Sequence, residues 1–257
     1  MSYLARISPR QDAQTPGVVT VMTIVDHGPR FITTTWSLTA LAAFFLGLRI
    51  FSKAWRKKQI WWDDYVLIAS WITLATSCSL ISYGVALGWG KNNFNIPPEN
   101  FEKVLFFSYA AGFASILAAM WSKVSFAITL LRISKGRIIW VPWVIIVTVI
   151  LVLGANATIH WIQCWPVSRL WDGNTVGRCW PRQVVINYNI FAACYSGVAD
   201  IALALIPWMI IWPSAISKKE KLGALTAMSM GIFAGITSFL KITTVTAIDS
   251  NDTTWSS

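Results

Sequence analysis

The chain has 257 residues, of which 55% are hydrophobic and 12% charged. A soluble domain carries about twice that share of charge, so an ordinary soluble globular protein is excluded. The net charge of +10 would suit a nucleic-acid binder, but the bases cluster between apolar stretches. Such clusters report membrane orientation and contact with anionic lipid, and no nucleic-acid partner is expected.

Residues 1–30, opening MSYLARISPRQDAQTPG, contain no apolar core of the kind a secretory signal requires. They are expected to form a polar extracellular tail, with the first span serving as the internal targeting signal. A span needs about 20 mostly apolar residues. Six stretches qualify, near 31–51, 65–88, 104–131, 138–163, 184–212 and 222–248. The third and fifth are long enough to tilt or to project beyond the bilayer. Residues 31–248 therefore form one transmembrane helical bundle, followed by a short tail, 249–257. The expected fold is all-α, a polytopic transmembrane helix bundle.

Lys and Arg between spans set the orientation. The first connector carries Arg49, Lys53, Arg56, Lys57 and Lys58, the third Arg132, Lys135 and Arg137, and the fifth Lys218, Lys219 and Lys221. These eleven bases face five in the second and fourth connectors, or eight with Arg6, Arg10 and Arg30 of the tail. The positive-inside rule then places the N-terminus outside and, with six spans, the C-terminus outside as well. Tryptophans agree: Trp55, Trp61, Trp62, Trp140, Trp143 and Trp212 fall at inner ends, and Trp36, Trp89, Trp161 and Trp165 at outer ends, as interfacial belts do. Asp63 and Asp64, adjacent at the start of the second span, are expected to point in different directions and to favour the positive helix N-terminus. A catalytic carboxylate pair is not expected there.

Cys78 and Cys194 lie within spans and read as small buried hydrophobes. Cys164 and Cys179 bracket CWPVSRLWDGNTVGRC on the side predicted to be extracellular. That compartment is oxidising, which favours a disulfide over two free thiols. Asn251 opens the sequon Asn251-Asp252-Thr253 on the same side and is the glycosylation candidate. Asn156-Ala157-Thr158 also fits the pattern but lies inside the fourth span.

Three ionisable residues remain away from the ends of the predicted spans: Lys123, Asp200 and Lys241. Such residues usually face the bundle interior and pair with one another. Lys123 and Asp200 both fall in the inner halves of spans running the same way, so they are expected to pair. Lys241, in the outer third of the sixth span, is left to snorkel outward or to line an outer pocket. The pair reads either as a lock that fixes helix packing or as a switch that ligand binding makes and breaks. Pro207 removes a backbone donor within the fifth span, where a kink is expected. Gly84-Val-Ala-Leu-Gly88 and Gly231-Ile-Phe-Ala-Gly235 suit close helix approach.

WWDDY (61–65), GWGK (88–91), KVSFAITLLRI (123–133), the outer loop 164–179, NYNIFAACYSGVADIALALIPWMIIW (187–212) and KKEK (218–221) follow one another in an order that resembles the fungal rhodopsin-domain family of integral membrane proteins. That family includes receptor-like pathogenicity proteins and membrane proteins of mycotoxin clusters such as satratoxin's. The resemblance covers roughly residues 31–248 and implies a seven-helix bundle, N-terminus outside, of which six spans are visible here. It suggests that Asp64, Lys123, Arg132, Cys164, Pro166, Trp171, Gly177, Cys179, Asn187, Asp200 and Pro207 occupy recurring family positions. Lys241 departs from the family's more usual Arg, and neither Lys123 nor Lys241 is on the helix where opsins anchor retinal. No cofactor is expected.

Two functions follow as expectations. One is a receptor-like, plasma-membrane sensor of an unknown small-molecule or surface ligand, with a basic inner face that contacts anionic lipid or an effector such as a G protein. The other is an accessory membrane protein of a secondary-metabolite cluster, acting in export, self-protection or scaffolding. Transporters usually show repeated halves and broken helices, which are not visible. No HExxH, GxSxG or CxxC occurs, and GVALGWGK misses the P-loop spacing, so an enzyme is not expected.

Overall fold

The computed structural model describes residues 28–55, 61–87, 98–134, 139–172 and 175–211. Five long helices account for most of them: α1 (Gly28–Trp55), α2 (Trp62–Ala86), α3 (Pro98–Ile133), α4 (Trp140–Ile162) and α5 (Arg182–Ile211). All five are long and apolar enough to cross a membrane. The predicted sixth span, with Lys241, and the Asn251 sequon lie outside the described residues. The bundle is multi-pass and helical because hydrocarbon leaves backbone polar groups no partner except one another.

Successive helices run antiparallel, and α3 is central, packing on α2, α4 and α5 while α1 leans on α2. Two ends can be told apart. One holds the starts of α1, α3 and α5 and a two-stranded hairpin, β1 (Cys164–Trp165) and β2 (Arg178–Cys179). The other holds the ends of α1 and α3 and the starts of α2 and α4, where Trp55, Trp62 and Trp140 are exposed. Phe44, Phe51, Leu151 and Phe191 also face outward, a distribution that suits lipid rather than water.

The α2–α3 seam follows a seven-residue rule. Ser125 Oγ donates to Asp63 O at 2.7 Å, Ser70 Oγ to Ala118 O at 2.8 Å, and Ser77 Oγ to Ala111 O at 2.8 Å. Each step moves seven residues up α2 and seven down α3, close to two helical turns, so every rung recurs on the same face. Continuing the register sets Gly84 against Val104, and both are buried. Alanine and glycine at the seam let the backbones approach closely enough for a short hydroxyl to reach across.

The core divides in two. Ala127, Leu130, Ile146, Leu203 and Ile206 pack toward the basic end, and Val149, Leu153, Ala192 and Ala199 pack farther along α4 and α5. Tyr188 Oη donates to Val152 O at 3.1 Å and fixes α5 against α4. The α5 helix continues through Pro207.

Candidate functional site

Between the two cores lies the pair Lys123 and Asp200. Lys123 Nζ donates to Asp200 Oδ1 at 2.6 Å, with side chains 8% and 14% exposed. The structure thus brings together the two residues whose matching depth in their spans predicted a pair. The contact joins α3 to α5 through residues 77 positions apart in sequence. Desolvation of two ions offsets much of their attraction, so a pair of this kind contributes little net stability even though breaking it is costly.

A second charged assembly closes the basic end. Arg49 Nη2 stands 2.8 Å from Asp63 Oδ2 and Arg49 Nε 3.3 Å from Asp64 Oδ1. Lys53 Nζ lies 3.1 Å from Asp63 Oδ2 and 2.6 Å from Asp64 Oδ1. Thr129 Oγ1 of α3 accepts from Arg49 Nη2 at 2.8 Å and lies 3.2 Å from Asp63 Oδ2. The Trp61 N–H donates to Asp64 Oδ2 at 3.3 Å. One step along α3, the Arg132 guanidinium sits 4.5 Å over the Trp61 ring.

This geometry corrects the expectation that Asp63 and Asp64 diverge. Adjacent helical residues do point about 100° apart, but Arg49 and Lys53, one turn apart on α1, span the gap with long side chains. Both carboxylates are buried and share both bases. Arg49 and Lys53 are accordingly part of helix α1 rather than of a connector. The sequence carried a signal for this cluster: a short connector brings the end of α1 beside the start of α2, so bases at 49 and 53 must meet acids at 63 and 64.

At the opposite end, Cys164 and Cys179 form a disulfide, and their strands pair in register across it. Gly177 is required there by space, because a Cβ would lie 2.5 Å from Trp165 O and 2.7 Å from Pro166 Cδ. The peptide bond before Pro166 is cis. The loop turns Trp171 down onto Phe106, with ring centroids 5.2 Å apart, and toward Trp161 at 6.4 Å. Beneath this aromatic cover, His160 Nε2 lies 3.0 Å from Tyr109 O. Gly112 makes room for it, since a Cβ there would meet Nε2 at 3.0 Å. Asn156, one turn below His160, is buried, and its Oδ1 finds no hydrogen-bond partner among the described residues.

A cavity of about 210 Å³ opens between α2 and α3 in the half nearer the disulfide, lined by Ser77, Gly84, Ser108, Gly112 and Ser115 among others. Sequence reasoning missed both it and the serine ladder, although Asp63, Ser70, Ser77 and Gly84 stand at regular seven-residue steps in the chain. A larger apolar depression of about 580 Å³ lies along Trp140, Trp143, Val144 and Val147. Its described walls come from α4 and the residue before it, as expected of a lipid-facing surface.

Among the described residues no three His, Cys, Asp or Glu side chains converge to hold a metal. Among the described residues, Lys123 does not fit a retinal linkage: its amine is engaged by Asp200, and it lines neither of the two voids.

A protein of Emericella nidulans described as a SAT4 family membrane protein is 31% identical over 91 residues, which is 34% of this chain and 22% of that relative. The chain therefore covers less than a quarter of that relative's length. No solved structure matches. The family model described as the fungal rhodopsin domain matches residues 48–257, from the end of α1 through all the later helices, and the protein belongs to that family.

Proposed function

We propose that this protein is a receptor-like sensor in the plasma membrane, with its N-terminus outside and its ligand side at the disulfide-bearing end. The observation that carries the reading is the Lys123–Asp200 contact between α3 and α5. A buried pair whose net contribution is small, joining two helices beside the core they share, suits an element with two arrangements that a ligand can bias. The placement of bases supports the orientation, and an outer disulfide suits an oxidising compartment. The basic end, with Arg132 exposed at the end of α3 and Arg56, Lys57 and Lys58 following α1 in the sequence, would face anionic lipid and an effector such as a G protein. The protein in this reading is not catalytic and carries no cofactor.

The test is genetic. The gene is deleted, then restored as wild type, as Lys123→Met, or with the charges exchanged (Lys123→Asp with Asp200→Lys). A sensor predicts loss of a response to an external cue on deletion, failure of the single change, and partial rescue by the exchange. Unchanged responses, with an altered amount or toxicity of one secondary metabolite instead, would overturn the sensor and favour the accessory role in export, self-protection or scaffolding.

A further inference from the structure

The α2–α3 cavity combines three properties. It has room, about 210 Å³, more than an engineered apolar cavity of about 150 Å³ that accommodates benzene. It carries hydroxyls without partners: Ser77 is committed to Ala111 O, but Ser108 and Ser115 line the void and form no hydrogen bond among the described residues. It lacks charge, since its described lining contains no Asp, Glu, Lys, Arg or His.

The serine ladder explains why a hole is there. The rungs at Ser70 and Ser77 hold α2 and α3 at a fixed close distance. At the next step the α2 position is Gly84, which contributes no side chain to fill the seam. Val104 stands opposite it, and farther along α3 Ala111 and Gly112 bring little side chain into the wall. Ser108 and Ser115 are seven residues apart on that helix and so stand on one face, roughly 10 Å apart along the axis. Gly84 lies within a turn of the end of α2 at Ala86, which brings the cavity close to the mouth of the bundle. Nearby, Tyr83 and Phe107 meet edge to face at 4.7 Å.

From these properties we infer that the space between α2 and α3 is a binding site for a small, uncharged amphiphile of about one ring's size. Such a molecule has an apolar body that packs on Leu80, Ile81 and Val104. Its hydroxyl or carbonyl groups are met by Ser108 and Ser115. An ionised ligand is rejected because the site would strip its hydration and return no opposite charge. A purely apolar ligand fits but leaves the serine hydroxyls unmatched and binds more weakly. The inference deepens the sensor reading and rests on it for its biological sense, although the binding itself does not require signalling.

The experiment uses the full chain in lipid nanodiscs and saturation-transfer NMR with three probes of one skeleton: 2-phenylethanol, ethylbenzene and phenylacetate. Gly84→Leu fills the cavity and serves as the control for partition into lipid. A second variant, Ser108→Ala with Ser115→Ala, keeps the space and removes the hydroxyls without adding volume. The expected result is saturable transfer to 2-phenylethanol in the wild type, abolished by Gly84→Leu. In the double alanine variant its affinity falls about fivefold for each hydroxyl engaged, while ethylbenzene is unaffected. Phenylacetate gives no saturable signal. Equal transfer in wild type and both variants means lipid partition only and overturns the site; so does saturable binding of phenylacetate, which would overturn the stated chemistry. If Gly84→Leu fails to fold, the double alanine variant decides alone. Binding with no cue response in cells would sink the sensor and leave the site standing. A cue response that survives Gly84→Leu while 2-phenylethanol binding is lost would leave the sensor standing and overturn the site's part in it.

Discussion

Replacing Lys123 with Met tests whether α3 and α5 are energetically coupled through Asp200. At 2.6 Å and an effective dielectric near 20, the charges attract by about 6 kcal/mol. Desolvation of the two ions together is of similar size, so the intact pair nets little. The single substitution removes the attraction but leaves the Asp200 carboxylate, 14% exposed, without its partner. Removing one member of a buried pair costs about 3–5 kcal/mol. For a chain of this size that lowers the melting temperature on the order of 10 °C. Asp200→Asn should cost a similar amount, and the double variant Lys123→Met with Asp200→Asn should lose far less than the sum. The assay is reversible unfolding in mixed micelles followed by tryptophan fluorescence, arranged as a double-mutant cycle. A coupling energy below about 0.5 kcal/mol, with the two losses simply adding, would refute the reasoning and with it the two-state role of the contact.

The same unfolding assay tests the cluster at the basic end. Lys53→Met should destabilise more than Asp64→Asn, because the buried carboxylates cannot reach water whereas Lys53 can extend outward when its acid is lost. Arg49→Lys keeps the charge but should still cost about 1–3 kcal/mol, since an ammonium cannot hold Asp63, Asp64 and Thr129 at once. Removing the disulfide with Cys164→Ser and Cys179→Ser should cost about 3 kcal/mol for a loop of this length. It should leave the Lys123–Asp200 coupling unchanged. Gly177→Ala should raise the fraction of free Cys164 and Cys179 in a thiol-alkylation gel, because its Cβ collides with Trp165 O. Gly154→Ala, where a Cβ meets nothing within 4 Å, should be neutral or mildly stabilising.

Composition and spacing alone determined much of this protein. Five of the predicted spans coincide with α1–α5, their ends differing by six residues at most (104 against Pro98 at the start of α3), because an apolar run of bilayer length has no stable alternative to a helix. The resemblance read from ordered motifs agrees with the family match over residues 48–257. The Cys164–Cys179 bridge was likewise legible, since only those two cysteines stand outside the spans. Depth along the helices was enough to name Lys123 and Asp200 as partners.

Only the tertiary structure decided what depends on rotation and separation. That Asp63 and Asp64 converge on Arg49 and Lys53 depends on how far long bases reach, not on the direction in which two adjacent carboxylates leave the helix. That Ser70, Ser77 and Ser125 form rungs depends on the α2–α3 register. The same serines facing lipid would bond their own helix instead, as Thr73 and Thr76 do. The cavity depends on that register too. Glycine at 84 is only a small residue in the sequence, and becomes a space when α3 presents Val104 opposite it with Ala111 and Gly112 farther along the same wall, because helix separation is set by the closest rungs rather than by the residues that fail to fill the gap between them.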